Sequence, residues 1–335
     1  MKYVWICVFS FFSLFAADDI RVMGSGFCTM DLLVQVEDAF IEEHIVPGRG
    51  GNQEGTFELI DSVLAKVKRV PKVVPGGSAA NTVRALARLG QPCAFLGHVG
   101  RDHWGEHFAS HLEKHGVELR LKHAPFTSRV LCLISPDGQR SFLACDPRLD
   151  TIPDKSDFKD VKWIHLEARN LFNRAVFEKT VELARESAIP LSMDLSCCRT
   201  VKHFKEDLLR IIENDVDLLF CNEDEAALLL GLDPKAACYE LQKRCTVAVV
   251  TLGKEGALIG HKDKVVSVPA YPTQVVDTTG AGDYFSAGFI YGYLRSLPLE
   301  ECACIGHRLA KAVVAVIGTE LAEESWEALR RQIIP

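Results

Sequence analysis

The sequence lacks the cysteine spacings of a metal site. It contains 12 cysteines but no Cys-x-x-Cys pair, and neither Cys197-Cys198 nor Cys302-x-Cys304 matches a zinc-binding pattern. In a chain without such a pattern, free and mostly buried thiols in a reducing compartment are the default. We therefore expect free thiols rather than a zinc site.

Two common nucleotide-binding loops are also absent. The pattern Gly-x-x-x-x-Gly-Lys-Ser/Thr does not occur, which excludes a P-loop fold. Gly24-x-Gly26 follows an apolar run, but the third glycine of a dinucleotide fingerprint is missing and no helical pattern comes next. We reject both classes.

An excess of positive charge is missing as well. There are 38 Lys and Arg against 45 Asp and Glu, so the net charge is −7. This balance argues against non-specific binding to nucleic acid.

The oligomeric state stays open between a monomer and a homodimer, because a strand edge can pair between chains or be covered within one chain.

The longest unusual apolar run lies at the N-terminus. Lys2 precedes an apolar stretch over residues 4–17, which resembles a signal peptide but is too short for a convincing membrane span. We treat residues 1–19 as a hydrophobic extension and expect no stable membrane partner. Two interpretations remain open: a signal cleaved near Ala17, for which Phe15 fits poorly, and a start-site error or disordered extension.

The second half of the chain alternates between strand and helix patterns. Strands are predicted over residues 163–166, 190–194, 218–220 and 247–252, with helices such as 172–188 and 204–214 between them. This order favours an α/β fold with a mainly parallel central sheet and helices on both faces.

Two other segments are patterned differently. Residues 37–75 are polar and weakly patterned, with a short helix near 38–44, some strand around 56–59 and a helix over 61–70. Residues 119–145 alternate like antiparallel strands around the turn Pro136-Asp137-Gly138. We expect a small β-rich lid of residues 35–75 and 117–146. It is inserted into one large α/β domain of residues 20–34, 76–116 and 147–335.

The stretch most suggestive of chemistry is Asp277-Thr278-Thr279-Gly280-Ala281-Gly282-Asp283. The apolar run after it reads as a buried helix, so Gly280, Ala281 and Gly282 lie at a helix N-terminus, where free N–H groups bind anions. Asp283 there suits a base that takes a proton from an attacking hydroxyl beside a bound phosphate, with an ordinary carboxyl pKa near 4. The plainer alternative is a first-turn acid favoured by the helix dipole.

This stretch, together with Gly26-x-x-x-x-Asp31 and Gly76-Gly77-x-x-x-Asn81, resembles the motifs of the ribokinase-like (PfkB) carbohydrate kinase family. The resemblance covers nearly the whole chain from Ile20. It implies a ribokinase-like fold and ATP-dependent transfer of a phosphoryl group to an alcohol.

The resemblance also assigns the acceptor side. Asp31, Gly76, Gly77 and Asn81 would bind the acceptor's hydroxyls, and Arg140 matches a lid arginine that neutralises phosphate charge. The alternatives are a turn aspartate, a cap asparagine and a solvated arginine.

On the nucleotide side, Asn222 and Glu225 match a motif that orders Mg²⁺ largely through water, although the same spacing is a helix capping box. Asp277 and Thr279 match a monovalent-cation site for K⁺ in many relatives. The nucleotide pocket would include, besides Asn222, four further residues: Thr251, Gly253, Gly256 and Thr278. A hairpin turn is the alternative for the two glycines.

Four histidines recur every fourth residue, at His103, His107, His111 and His115. One helical stripe of this kind can bind metal. No acid or cysteine in the sequence pattern completes a site, so a polar solvent face is the expected explanation.

Three features favour the adenosine-kinase-like branch: the long insert between Asp31 and Gly76, Met193-Asp194-Leu195-Ser196, and residues 219–223. We expect a kinase for a nucleoside such as adenosine, with ATP and Mg²⁺. A ribokinase- or fructokinase-type sugar kinase and a non-catalytic nucleoside- or sugar-binding protein remain alternatives. Because ATP is scarce outside the cytoplasm, a cytoplasmic location is expected, with the signal peptide as the open alternative.

Overall fold

The computed structural model describes residues 16–46 and 48–334. The strands, in chain order, are β1 (Arg21–Ser25), β2 (Thr29–Gln35), β3 (Asn52–Glu54), β4 (Lys72–Gly76), β5 (Cys93–Val99), β6 (Val117–His123), β7 (Ser128–Ile134), β8 (Arg140–Cys145), β9 (Val161–Glu167), β10 (Leu191–Asp194), β11 (Leu218–Asn222), β12 (Val247–Thr251), β13 (Ala257–His261) and β14 (Lys264–Val268). The helices are α1 (Asp38–His44), α2 (Phe57–Lys66), α3 (Ser78–Arg88), α4 (His103–Lys114), α5 (Arg174–Glu186), α6 (Cys198–Asp215), α7 (Glu223–Leu230), α8 (Pro234–Leu241), α9 (Ala281–Leu294), α10 (Leu299–Val313) and α11 (Glu323–Ile333).

The larger sheet has the strand order β14-β13-β12-β11-β10-β9-β1-β5-β6. The seven strands β12, β11, β10, β9, β1, β5 and β6 pair in parallel, and the hairpin strands β13 and β14 run antiparallel at the other edge. Parallel neighbours need crossover connections, which helices such as α5, α6 and α7 supply. The predicted mainly parallel α/β architecture is confirmed.

Alternate residues of the strands enter two separate cores. In β11, Leu218 and Phe220 belong to one buried cluster, while Leu219 and Cys221 belong to the other. A strand that is buried on both faces must be apolar at successive positions, because its side chains alternate in direction. This is why the strands read as continuous apolar runs in the sequence.

The smaller sheet has the order β3-β8-β7-β2-β4, and it packs a third core against α1 and α2. The strand pairing moves two of the predicted boundaries. Residues 29–34, assigned to the large domain, lie in β2 of the small sheet, and residues 117–123, assigned to the lid, form β6 at the edge of the large sheet. Both segments place apolar residues at every second position, such as Leu32 and Val34 in β2 and Leu119 and Leu121 in β6, and this pattern does not show which sheet a strand joins.

The strand predicted around residues 56–59 is wrong, because these residues start α2. The Oγ1 atom of Thr56 accepts a hydrogen bond from the backbone N–H of Leu59 at 3.3 Å, which caps the helix one turn earlier than its apolar pattern suggests.

The apolar N-terminal run lies almost entirely outside the described residues. A short turn at Ala17–Asp19 follows it, and the Ala17 carbonyl accepts a hydrogen bond from Gln91 Nε2 at 2.9 Å. Within the part of the chain that the structure describes, no helix is both long and apolar enough to cross a bilayer.

Candidate active site

A cavity of about 480 Å³ opens where four neighbouring strands of the large sheet end. Its walls include Glu167, Asp194, Asn222 and Thr251, which are the last residues of β9, β10, β11 and β12. Parallel strands present their carboxyl ends at one edge, which is the usual ligand site of an open α/β sheet. The small sheet forms the opposite wall through Asp31 on β2, Val130 on β7 and Phe142 on β8.

The glycine-rich loop borders this cavity at the start of α9. Gly280 adopts a left-handed conformation, with φ +73°, immediately before the helix. A Cβ atom there would approach Thr319 Cγ2 to 2.6 Å, so both the turn and the packing require glycine. Gly280, Ala281 and Gly282 all line the cavity. The Ala281 N–H contacts the Thr278 carbonyl at 3.2 Å, and the amides that follow belong to the first helical turn, which has no intrahelical acceptors.

Asp283 lies in that first turn, and α3 holds both of its carboxylate oxygens. The Ser78 hydroxyl donates to Oδ1 at 2.7 Å, and Asn81 Nδ2 donates to Oδ2 at 2.8 Å. The Thr82 hydroxyl also donates to the Asp283 backbone carbonyl at 3.2 Å. Each carboxylate oxygen retains a lone pair for a further hydrogen bond, so the group can still accept a proton.

Burial raises the pKa of Asp283 to about 6, although the hydrogen bonds from Asn81 and Ser78 and the charge of Arg84 oppose the rise. The expected pKa near 4 is therefore too low. The cause is the surrounding protein, which disfavours the charged form.

Other carboxyl groups crowd the same cavity. Burial raises the pKa of Asp31 to about 6, with Arg169 and Arg140 opposing it, and raises that of Glu167 to about 7. Burial, together with the neighbouring Glu225 charge, raises the pKa of Asp194. Such a group of acids suits a ligand that brings hydroxyls and a cation.

Asn222 and Glu225 form the capping box of α7. Asn222 Oδ1 accepts from the Glu225 N–H at 2.9 Å, and the Asn222 N–H donates to Glu225 Oε2 at 2.9 Å. Both residues also line the cavity, and burial raises the pKa of Glu225 to about 7. Asp194 and Glu225 repel each other there, and a divalent cation would relieve this repulsion, so the donor set fits one.

Asp277 and Thr279, which we expect to help form a monovalent-cation site, contact each other in the structure. Asp277 Oδ1 accepts from the N–H and the hydroxyl of Thr279 at 2.9 and 2.8 Å. Its Oδ2 accepts from the Gly318 N–H at 2.7 Å and contacts Arg140 Nη2 at 2.5 Å. Burial raises the pKa of Asp277, but these partners together outweigh that effect and hold the pKa below its ordinary value. A guanidinium therefore already supplies the positive charge at this carboxylate.

Two glycines assigned to the nucleotide pocket belong to the turn between β12 and β13. Gly253 and Gly256 have φ +54° and +109°, and a Cβ at Gly256 would lie 2.1 Å from the Val268 carbonyl. Thr251 lines the cavity, whereas the two glycines are not part of its wall. Their geometry matches the alternative of a hairpin turn.

The structure brings most of the predicted site residues to this one cavity: Asp31, Gly77, Asn81, Asn222, Glu225, Thr251, Thr278, Gly280, Ala281, Gly282 and Asp283. Gly76 lies just behind the wall, where a Cβ would meet Asp31 Oδ2 at 2.4 Å. Arg140 is turned away to Asp277.

Ser78, Glu167 and Arg169 also line the cavity, and sequence reasoning missed them. The position of Glu167 just after a predicted buried strand was the one available signal.

Known proteins resemble this chain over most of its length. The cytidine kinase of Thermococcus kodakarensis is 28% identical over 258 residues, which cover 72% of this chain and 88% of that protein. The ribokinase of Bacillus subtilis is 27% identical over 312 residues, or 90% of this chain and 94% of that protein. The crystal structure of adenosine kinase from Sinorhizobium meliloti aligns with a TM-score of 0.85 at 27% identity, covering 94% of this chain and 99% of that one.

The two-sheet α/β architecture is thus the ribokinase-like fold that the sequence motifs imply. The pattern of the pfkB family carbohydrate kinases matches residues 55–326, a span that contains the glycine-rich loop, Asp283 and the ends of β9 to β12. Because that match extends over most of the chain, the protein belongs to the pfkB family of carbohydrate kinases, phosphotransferases that act on a sugar or nucleoside hydroxyl.

Proposed function

We propose that this protein transfers the γ-phosphoryl group of ATP to a primary hydroxyl of a nucleoside or a furanose sugar, with Asp283 as the base. The observation that carries the proposal is the position of the Asp283 carboxylate. It borders the cavity in the first turn of α9, beside the glycine-rich loop, and Ser78 and Asn81 fix its orientation.

The reaction is an in-line displacement. The acceptor oxygen forms a bond to the γ-phosphorus, the bond from that phosphorus to the β–γ bridging oxygen breaks, and ADP leaves. The hydroxyl proton passes to Asp283. N–H groups at the start of α9 stabilise the charge on the transferring group, because the helix N-terminus offers unpaired donors. Proton removal can come late, since the transition state is loose.

Kinases of this family use ATP with a divalent metal ion. We assign Mg²⁺ to the carboxylates of Glu225 and Asp194, with Asn222 beside them, and expect binding largely through water. When bound, the ion supplies positive charge to the triphosphate. The capping box holds Glu225 in place.

Arg140 is assigned to phosphate neutralisation only if it leaves Asp277. The Arg140 side chain, on β8 of the small sheet, pairs with the carboxylate of Asp277, which precedes the glycine-rich loop. A phosphate group would therefore have to compete with that carboxylate for the guanidinium. The small sheet, which forms one wall of the cavity, would then act as the lid that excludes water.

A nucleoside is our first choice of acceptor. Phe142 and Phe172 line the cavity, where aromatic side chains can pack against a base, although the guanidinium of Arg199 lies 4.6 Å from the centre of the Phe172 ring. Two of the similar proteins described above are a cytidine kinase and an adenosine kinase. A furanose sugar is the second choice, because the ribokinase of Bacillus subtilis aligns with 90% of this chain.

The test is ADP release from ATP and Mg²⁺ in the presence of adenosine, cytidine, other nucleosides, ribose or fructose. We expect turnover with at least one nucleoside and a 5′-monophosphate as product. Turnover only with ribose or fructose would move the assignment to a sugar kinase. Tight binding of these compounds without any ADP release would indicate the non-catalytic binding protein.

Asp283→Asn is the essential control. We expect it to reduce kcat by about 10²–10⁴-fold, the usual contribution of a general base, while the nucleotide still binds. A kcat equal to that of the parent would show that Asp283 is not the base.

A further inference from the structure

Arg84 lies one helical turn after Asn81 on α3, and its charged group is buried. Only 2% of the residue is exposed, and its pairing with Glu320 compensates for the cost of burying a guanidinium. It is not part of the cavity wall. Its contacts nevertheless lead to the centre of the site.

The first set of contacts ends at the carboxylate of Asp283. Arg84 Nη2 donates to Asn81 Oδ1 at 3.3 Å, and the Thr319 hydroxyl reaches the same oxygen at 3.4 Å. With its Oδ1 directed to these donors, the Asn81 amide must present Nδ2 to Asp283 Oδ2, as observed at 2.8 Å. A reversed amide would place two acceptor oxygens against each other.

The second set of contacts holds Thr319, the residue that packs against Gly280 of the glycine-rich loop. Arg84 Nη2 donates to the carbonyl and the hydroxyl of Thr319 at 2.7 and 2.9 Å. Thr319 underlies Gly280, where a Cβ would come within 2.6 Å of its methyl group, and its carbonyl also accepts from the Tyr284 hydroxyl at 2.7 Å. One guanidinium therefore contacts the supports of both the base and the anion-binding loop.

On its other side, the Arg84 guanidinium contacts His111, one of the four histidines that recur along α4. His111, His115 and Glu320 offer nitrogen and oxygen atoms within 4.8 Å of one another, a grouping that could hold a metal ion. Arg84 Nη1, however, lies 2.5 Å from His111 Nε2 and also pairs with Glu320. A metal ion would have to displace a buried cation, so the group reads as the outer anchor of Arg84 instead.

We propose that Arg84 is a positioning residue for phosphoryl transfer, acting through Asn81 on Asp283 and through Thr319 on the glycine-rich loop. The proposal rests on the proposed function, because it assumes that Asp283 and the loop act on ATP. Displacement of a reacting group by about 1 Å can cost about 10²-fold in rate. Loss of Arg84 should therefore lower kcat more than it weakens nucleotide binding.

The test compares Arg84→Met with Arg88→Met. Arg88 follows one turn later on α3, pairs with Glu323 and stacks over Trp326, with its guanidinium carbon 5.5 Å from the ring centre, so it matches Arg84 in chemistry but lies outside the site. We expect Arg84→Met to lower kcat by between about tenfold and about 100-fold with little change in the KM for ATP. Arg88→Met should keep the parent's kcat, and Arg84→Lys should recover only part, because an ammonium group lacks the planar fork.

Two further measurements keep the proposal falsifiable. In an Asn81→Ser background, Arg84→Lys should lower kcat much less than it does in the parent. The effects of two substitutions are not additive when one residue acts through the other. A crystal structure of Arg84→Met, or of Arg84→Lys if the former does not fold, should show Asn81 Nδ2 displaced from Asp283 Oδ2. Retention of that contact, or a kcat no lower than that of Arg88→Met, would overturn the proposal. A parent with no ATP turnover would instead refute the proposed function, and the crystal structure would still test the contact.

Discussion

At the scale of single residues, the environment of Asp283 combines two opposing effects. Burial favours its neutral form, while Ser78 and Asn81 donate hydrogen bonds that favour the charged form. A base must be ionised before it can accept a proton, so activity should fall as the pH drops through the pKa of about 6. Four other carboxyl groups, Asp31, Glu167, Asp194 and Glu225, also have raised pKa values around this cavity and should steepen the decline.

Ser78→Ala isolates one of these effects. The variant removes the hydroxyl that donates to Oδ1, which disfavours the ionised form and raises the pKa of Asp283. The acidic limb of kcat/KM should therefore move to higher pH, while the rate at pH 8 should change much less. A profile between pH 5 and 9 measures this. Ser62→Ala, on α2 and outside the cavity, is the control and should keep the parent's profile.

At the scale of secondary-structure elements, the Arg140–Asp277 ion pair joins β8 of the small sheet to the loop before α9. The pair is largely buried, with 17% of the Arg140 side chain and 6% of the Asp277 side chain exposed. Because a guanidinium and two N–H groups already satisfy the Asp277 carboxylate, no separate cation is needed to neutralise it.

We therefore expect activity that does not depend on K⁺. Replacing K⁺ by a bulky organic cation at constant ionic strength should leave kcat within about twofold if Arg140 stays on Asp277 during turnover, because the guanidinium then supplies the charge. Arg140→Gln should lower kcat and make the remaining activity respond to K⁺. Arg129→Gln is the matched control, because Arg129 lies on the neighbouring strand and pairs with Asp61 at 3.2 Å. Strong stimulation of the parent by K⁺ would contradict this prediction.

At the scale of the whole molecule, the reactivity of the cysteine thiols indicates whether the two sheets are folded. The eleven cysteines of the described residues are all free, and eight of them are buried. The expectation of free, mostly buried thiols is confirmed for this part of the chain. Buried thiols become accessible only when the sheets open.

Labelling with N-ethylmaleimide should therefore separate two groups of thiols. Among the described cysteines, Cys197, Cys198 and Cys304 should react in the folded protein, because they are partly exposed, and the rest should react only in denaturant. Peptide mass spectrometry identifies the modified residues. Early modification of Cys245 in the core of the large sheet, or a disulfide-linked peptide, would be inconsistent with this structure.

Local patterns in the sequence predicted much of the fold and part of the site. The strand–helix alternation indicated the parallel sheet, because apolar runs of strand length report burial on both faces. The spacing from Asn222 to Glu225 indicated a capping box as the alternative to a magnesium motif, and the structure contains the capping box because both partners lie within one helical turn. The small residues Gly280-Ala281-Gly282 predicted a tight start to α9, and Gly280 forms it, because few other residues tolerate its left-handed backbone.

Only the tertiary structure decided which distant residues meet. Arg84 and Thr319 are separated by 235 positions and Asn81 and Asp283 by 202, so no local periodicity links them. The same holds for Arg140 and Asp277, and for the membership of β2 and β6 in their sheets. Such contacts depend on how helices and sheets pack, and packing is set by the shape of the whole core rather than by neighbours in the chain.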